Sequence, residues 1–467
     1  MARAGAADEK ISRFLAWCAE REIVVARDAV AIDGLRPEAD ADDGADGASS
    51  RAHLRVRASR DIALGEILFE IPKTTVVCAS NAGAIGAAVR AGGLGGGLAL
   101  NVTIAMALLG GPSSVAGSFW DGYAEILPRR GERSLPMYWD EDERRTLTGT
   151  ELEECLEEDD DAFEEDYATA VEALGKEMCD AHGFTLETYK AAASIAASRA
   201  FCVGGRYGEC LVPCADLFNH RTGTNSVAVF GIEDSDDDCD EGHNDDTGAL
   251  IIKTVVDVKA GEELFNTFGS KSNTNLLHRY GFAETHNKET ACVTLDSSLF
   301  VDVFGEEVMS DVYERLQETS ADDAPFLEFF ESDKYYEITI DGCEHEFYEL
   351  VEALIQTGKL KHPEHDGAWL VGLDENKAVQ AVVEEIIYAR WERYGKPIDR
   401  REPERERELT TSAFEGMRHL AKPLAGGGVV GQEAAQLVKM QEVDLIYDAI
   451  RFAAQRIADW CETRTSS

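Results

Sequence analysis

The chain has 467 residues, of which 45 are Lys or Arg and 89 are Asp or Glu, giving a formal net charge of −44. At roughly 150 residues per domain, that length implies two or three units instead of one small core. A hydrophobic share of 44% is enough to bury substantial cores, which excludes wholesale disorder. Such an acidic chain repels nucleic-acid phosphates and is a poor binder of them. It can steer basic polypeptides towards itself, although solubility or adaptation to salt accounts for the charge nearly as well.

The opening residues MARAGAADEKISRF contain no apolar stretch of the kind a secretory signal needs. Ile11, Phe14, Leu15 and Cys18 recur at helical spacing, which predicts a helix from Ile11 to about Arg21. The Asp/Gly/Ala/Ser tract Ala39–Ser50 has nothing to bury and reads as a flexible loop. Alternation then predicts strands at His53–Arg57 and Ile67–Ile71, with Asp61–Gly65 turning the chain between them. Gly92–Gly97 is followed by no Gly-Lys-Ser/Thr, so it reads as a linker ahead of a Leu98–Leu109 helix and not as a phosphate loop. The apolar run Ala99–Leu109 is interrupted by Asn101 and Thr103 and falls far short of a membrane span.

Glu151–Asp166 is acidic, but Leu152, Leu156, Phe163 and Tyr167 punctuate it at helical intervals, as expected of a solvated helix face. Residues 232–247 form a second acidic tract between predicted strands at Ser226–Phe230 and Ala249–Val256. They lack the glycine and terminal glutamate spacing of a calcium loop and read as a disordered insert. Beyond about Phe300 the pattern turns to amphipathic helices, with Val379–Tyr394 and Gln432–Cys461 the clearest and Arg400–Glu408 an exposed helix or connector. The boundary between the two patterns lies near Ala291–Phe300.

The 11 cysteines are scattered and odd in number, which suits reduced thiols in a soluble intracellular protein of the nucleus or cytoplasm. Cys202, Cys210, Cys214 and His220 offer a nominal Cys₃His set, yet Cys210 and Cys214 lack the two-residue knuckle spacing and no second knuckle follows, so no metal is expected. Cys239 with His243 has the same defect. Nothing aims one cysteine at His220, and there is no Gly-x-Ser-x-Gly elbow, which leaves hydrolase chemistry unsupported.

The densest cluster of chemistry-bearing residues runs from Ser198-Arg199-Ala200-Phe201 through Asp216-Leu217-Phe218-Asn219-His220 to Gly261–Phe282. Upstream lie Phe14–Cys18, Arg57–Ile62 with Gly65–Pro72, and Phe119-Trp120 with Tyr123, Leu127-Pro128 and Leu135–Trp139. In this order the segments resemble a SET-domain protein-lysine methyltransferase of the Rubisco large-subunit methyltransferase-like branch, nearest in pattern to the enzymes acting on ribosomal proteins and chromatin factors.

The resemblance implies an α+β fold: a β-rich SET domain with a pseudoknot over 1–290, split by a helical insert at about 80–200, then a helical substrate-binding-like domain over 300–465. It implies S-adenosylmethionine as cofactor, held by Leu54, Ser198, Arg199, Asp216, Asn219, His220, Tyr280, Gly281 and Phe282. Tyr280 and Phe268 would stand at the reacting centre, and Trp120 and Phe201 would border the lysine channel. The implied partner is a basic protein, a ribosomal protein or histone tail, with neither nucleic acid nor membrane.

Two departures from the family pattern stand out. Ala52-His53-Leu54-Arg55 replaces a Gly-x-Gly loop, removing two glycines that permit close backbone approach. Phe268 occupies the position of a tyrosine whose hydroxyl orients the amine. Two other readings follow: a non-catalytic SET-fold module that binds basic peptides, and transfer to histidine instead of lysine.

Overall fold

A computed structural model of the chain describes residues 2–34, 54–109, 119–127, 135–231, 248–285, 287–319, 324–332, 334–363, 369–395, 399–405, 407 and 428–466. The expected loop at Ala39–Ser50, the acidic tract 232–247 with Cys239 and His243, and Ala52-His53 lie outside the described residues. The architecture is α+β. Contacts divide it into two compact units, Met1–Tyr138 with Glu158–Gly269 and Trp139–Glu157 with Ser270–Ser467. Segments 139–157 and 270–290 therefore group by contact with the C-terminal helices, whereas the family pattern places them in its strand-rich half.

In the first unit a four-stranded antiparallel sheet runs in the order Val24–Val25, Ile67–Pro72, Ala249–Thr254, Val227–Phe230. Strict alternation would bury every second residue of Ile67–Pro72, yet Leu68 and Phe69 are both buried. A bulge between Ile67 and Phe69 shifts the register there and turns both side chains inward. Two hairpin-like pairs flank this sheet, Val30–Gly34 with Leu54–Ala58 and Ala200–Gly204 with Gly208–Leu211. Phe69 meets Phe218 edge-on at 5.8 Å, which ties the sheet to the turn that leads into Asn219.

The first helix, Ala2–Glu20, begins well before the Ile11 that periodicity suggested. It buries Phe14, Trp17 and Cys18, and Trp17 stacks on Tyr123 at 6.1 Å and 20°. The contact is so close that a Cβ on Gly122 would lie 2.3 Å from the Trp17 Cβ. Gly122→Ala is therefore expected to cost about 1–3 kcal/mol of stability through overpacking, read as a lowered thermal midpoint. An unchanged midpoint would mean that the helix yields at no cost. Later in this unit the Leu186–Arg199 helix starts in a capping box between Thr185 and Thr188 and stops at extended Ala200, which hands Ser198 and Arg199 to the start of a strand.

The second unit contains strands, and those beyond Phe300 lie where the sequence pattern predicted helices alone. Val293–Asp296, Tyr335–Thr339 and Gly342–Cys343 form an antiparallel meander, and Phe282–Glu284 pairs with Gly428–Val430. The missed signal is local: aromatic and β-branched residues in Tyr335–Thr339 run into Ile340-Asp341-Gly342, and Gly342 has φ +103°, which suits a tight turn. The core is aromatic, with Phe300 edge-on to Phe329, Phe330 and Phe347 at 5.7, 5.7 and 6.3 Å. Around it pack the helices His345–Gln356, Glu375–Glu392 and Gln432–Ser466. Among the described residues no helix is long and apolar enough to cross a membrane.

Candidate functional site

Three backbone segments distant in sequence cross within the first unit. The Leu264 N–H donates to the Val56 carbonyl at 2.9 Å, so the chain after Gly261 runs beside the Leu54–Ala58 strand. On its other side the Ser226 N–H donates to the Phe265 carbonyl at 2.8 Å and the Asn266 N–H donates to the Asn219 carbonyl at 3.1 Å. Asn219 and Phe265 form a parallel bridge. Residues 264–268 are thus held between two segments that precede them, which fixes Asn219 and His220 against Asn266 and Phe268.

Side chains reinforce the crossing. Asn219 Nδ2 donates to Glu263 Oε1 at 2.6 Å, so its amide is spent on the neighbouring segment. His220 is 8% exposed, and its Nδ1 accepts the Phe268 N–H at 3.0 Å. That acceptor role places the proton of a neutral imidazole on Nε2, which lies 3.3 Å from Thr222 Oγ1. The Phe268 ring lies almost parallel to the imidazole, with centroids 4.9 Å apart at 17°.

Upstream, Cys214 adopts φ +76°, a rare backbone state for a residue with a Cβ, and starts the short turn Ala215–Leu217. Its Sγ sits 3.9 Å from Cys18 Sγ on the first helix. Asp216 Oδ2 accepts the Tyr123 hydroxyl at 2.8 Å, while Oδ1 is shielded from solvent and has no hydrogen-bond partner among the described residues. Burial lifts the Asp216 carboxyl above its ordinary range, against the opposing pull of the Arg199 guanidinium and the Tyr123 hydroxyl. Burial first, then the Asp216 charge, drives the Tyr123 phenol well above its own. Beyond His220, the Arg221 guanidinium covers the Phe265 ring at 4.3 Å, and its buried Nε lacks a hydrogen-bond partner among the described residues.

No family model matches the chain. The N-lysine methyltransferase setd6 of Xenopus laevis is 26% identical over 310 residues, 61% of this chain and 60% of that protein. SETD6 of Mus musculus is 27% identical over 245 residues, 50% of this chain and 48% of that protein. The chain thus spans 60% or less of the length of these curated relatives. Among solved structures, the SET domain of LSMT bound to lysine and AdoHcy superposes with a TM-score of 0.64 at 16% identity, over 97% of this chain and 92% of that one. Rubisco LSMT bound to AdoMet gives 0.63 at 17% identity, over 97% and 93%. The chain has the SET fold seen in these LSMT structures.

Within that fold the structure brings Asn219, His220, Phe268, Asp216 and the Arg199 charge into one neighbourhood of the first unit. Leu54 opens its strand opposite Gly34 and is half-buried. The Ser198 hydroxyl returns to its own helix, donating to the Ser194 carbonyl at 2.7 Å. Trp120 is 3% exposed and its indole N–H donates to the Thr75 carbonyl at 2.8 Å, while Phe201 faces Cys210 across its hairpin.

Tyr280, Gly281 and Phe282 belong to the second unit. There Gly281, with φ +77°, caps the Asn273–Tyr280 helix, and the Tyr280 and Phe282 rings lie 6.4 Å apart. Burial lifts the half-buried Tyr280 phenol above its ordinary range.

Sequence reasoning passed over Tyr123 and Glu263. Both stood inside quoted motifs, but a hydrogen-bond partner 93 or 44 positions away leaves no mark on local spacing. The cysteines and histidine once weighed as a metal set have separate partners: Cys210 Sγ donates to the Tyr207 carbonyl at 3.3 Å, Cys214 meets Cys18, and His220 takes the Phe268 N–H. Among the described residues no group of three His, Cys, Asp or Glu side chains has the geometry of a metal site.

Proposed function

We propose that the protein transfers methyl groups from S-adenosylmethionine to lysine side chains of a basic protein such as a ribosomal protein or a histone-like tail, in the nucleus or cytoplasm. The observation that carries this reading is the pair of orphaned polar atoms that flank Asn219-His220 in sequence: the Asp216 Oδ1 acceptor and the Arg221 Nε donor. An amino-acid zwitterion carries the matching ammonium and carboxylate, and buried groups of this kind are costly unless a ligand or water pairs them. The relatives named N-lysine methyltransferases and the neighbours solved with AdoMet, AdoHcy and lysine support the same reading.

When bound, S-adenosylmethionine supplies an electrophilic methyl carbon on a sulfonium. Displacement by a neutral amine then depends chiefly on alignment and on exclusion of water. The role of this chain is positioning. Within the first unit Asn219, His220 and Arg199, with Leu54, Ser198 and Asp216, would hold the cofactor, Phe268 would wall the reacting centre, and Trp120 and Phe201 would border the lysine channel. His220 Nδ1 accepts the Phe268 N–H, so this ring nitrogen serves the scaffold. The charge of −44 would draw a basic substrate.

Isothermal titration of the folded protein with S-adenosylmethionine tests the reading; absence of binding would remove it. Phe268→Tyr is expected to leave cofactor affinity nearly unchanged and to alter turnover or the methylation state of the product, because the added hydroxyl would stand beside the amine. A large loss of cofactor affinity in that variant would mean that the two parts of the site are assigned backwards.

A non-catalytic peptide-binding module is the second reading, favoured by the Phe268 ring lying flat on His220 with no hydroxyl to offer. Cofactor binding without label transfer to any protein of a lysine-rich extract would favour it. Label recovered on histidine would instead indicate transfer to imidazole.

A further inference from the structure

We infer that Tyr123 is a positioning residue for the ligand-binding turn, its hydroxyl setting the Asp216 carboxylate in the turn that leads into Asn219-His220. The inference rests on the cofactor-binding reading above and concerns how that site is held ready.

Four observations converge on Tyr123. Its ring is fully buried, stacked on Trp17 and 6.3 Å from Phe14, so the phenol has a fixed direction. The backbone beside it is equally constrained, since Gly122 has no room for a Cβ and the Trp120 indole is anchored to the Thr75 carbonyl. The hydroxyl donates to Asp216 Oδ2 at 2.8 Å, and Oδ1 is left without a hydrogen-bond partner among the described residues. The turn that Tyr123 holds begins with Cys214 in a left-handed backbone state. A strained turn persists only where its surroundings over-determine it, and such strain gathers at ligand clamps.

The groups facing the Asp216 carboxylate are the Tyr123 hydroxyl, the Arg199 guanidinium, the Cys214 thiol and the residue's own backbone N–H. Tyr123 and Arg199 favour the charged carboxylate, whereas burial opposes it. Loss of the hydroxyl therefore makes Asp216 easier to protonate. A neutral Asp216 no longer offers the anionic acceptor, so affinity for a cationic ligand group should fall as pH drops through the carboxyl's titration. Without Tyr123 that fall should begin at higher pH.

The test compares wild type, Tyr123→Phe and Asp216→Asn by titration with S-adenosylmethionine from about pH 5 to pH 8. Tyr123→Phe keeps the ring and its stacking. It is expected to move the acid-side loss of affinity up by about one pH unit, the equivalent of one hydrogen bond. Asp216→Asn keeps an acceptor for the Tyr123 hydroxyl and should remove this acid-side loss. Histidine protonation is common to wild type and Tyr123→Phe, so their difference isolates Asp216. A Tyr123→Phe profile parallel to wild type, whether unshifted or lowered equally at every pH, would overturn the inference and leave cofactor binding standing. A wild-type protein that binds no cofactor at any pH would overturn both.

Discussion

Arg390→Ala is expected to destabilise the second unit by about 3–5 kcal/mol, the usual cost of stripping one partner from a buried ion pair. Arg390 and Glu442 are each 2% exposed and 3.4 Å apart. The guanidinium also donates to the Thr294 carbonyl at 3.1 Å and the Gly149 carbonyl at 2.8 Å, while Glu442 accepts from the Tyr394 hydroxyl and from Thr274 Oγ1. Alanine would leave two carbonyls and a carboxylate buried with too few donors. Denaturant unfolding of the variant measures the loss. A value below about 1 kcal/mol, the level of a surface pair, would show that water reaches the site.

The same network predicts a pH dependence. Burial and then the Glu442 charge raise the Glu151 carboxyl to about 7, against the pull of Arg390. Between the ordinary carboxylate value and about 7 the folded state therefore holds more protons than the unfolded state. On this account Glu151 lowers stability progressively as pH rises through that window, and its penalty is absent below it. Glu151→Gln should flatten the slope there, measured by denaturation midpoints at successive pH values. An unchanged slope would remove Glu151 as its source.

The second large effect is expected at the crossing of segments. His220→Ala removes the acceptor of the Phe268 N–H and the stacked partner of the Phe268 ring. Leaving this part-buried donor unpaired costs up to about 1–3 kcal/mol, and a lost ring contact about 0.5–1.5 more. If that misplaces the cofactor cradle, S-adenosylmethionine affinity should fall by about 2–4 kcal/mol, on the order of 30- to 1,000-fold. Asn219→Ala, which breaks the bond to Glu263, is expected to cost about 1–3 kcal/mol. Titration calorimetry on both variants, with thermal unfolding as a control, reads these numbers. Wild-type affinity in a folded His220→Ala would show that the imidazole serves stability alone.

Much was legible in the chain because local pattern records local demand. The strands at Ile67, Val227 and Ala249 announced themselves by alternation, and the helices at Glu375–Glu392 and Gln432–Ser466 by helical spacing. The segment order from Phe14 to Phe282 pointed to the SET fold, since each short motif is weak alone but their sequence is specific. The hairpin at Tyr335–Cys343 was missed because it lies among long amphipathic runs and occupies few residues.

Read along the chain, then, the residues pointed to the SET fold and established the acidic character. These depend on periodicity, composition and motif order, all read along one dimension. Which polar groups pair with one another depended on the folded arrangement. It joined Tyr123 to Asp216 across 93 positions, Asn219 to Glu263 across 44 and Phe268 to His220 across 48. Among the described residues it also left Asp216 Oδ1 and Arg221 Nε unpaired. Hydrogen bonding and desolvation act through distances of a few ångströms, whatever the separation along the chain, so no local pattern encodes them.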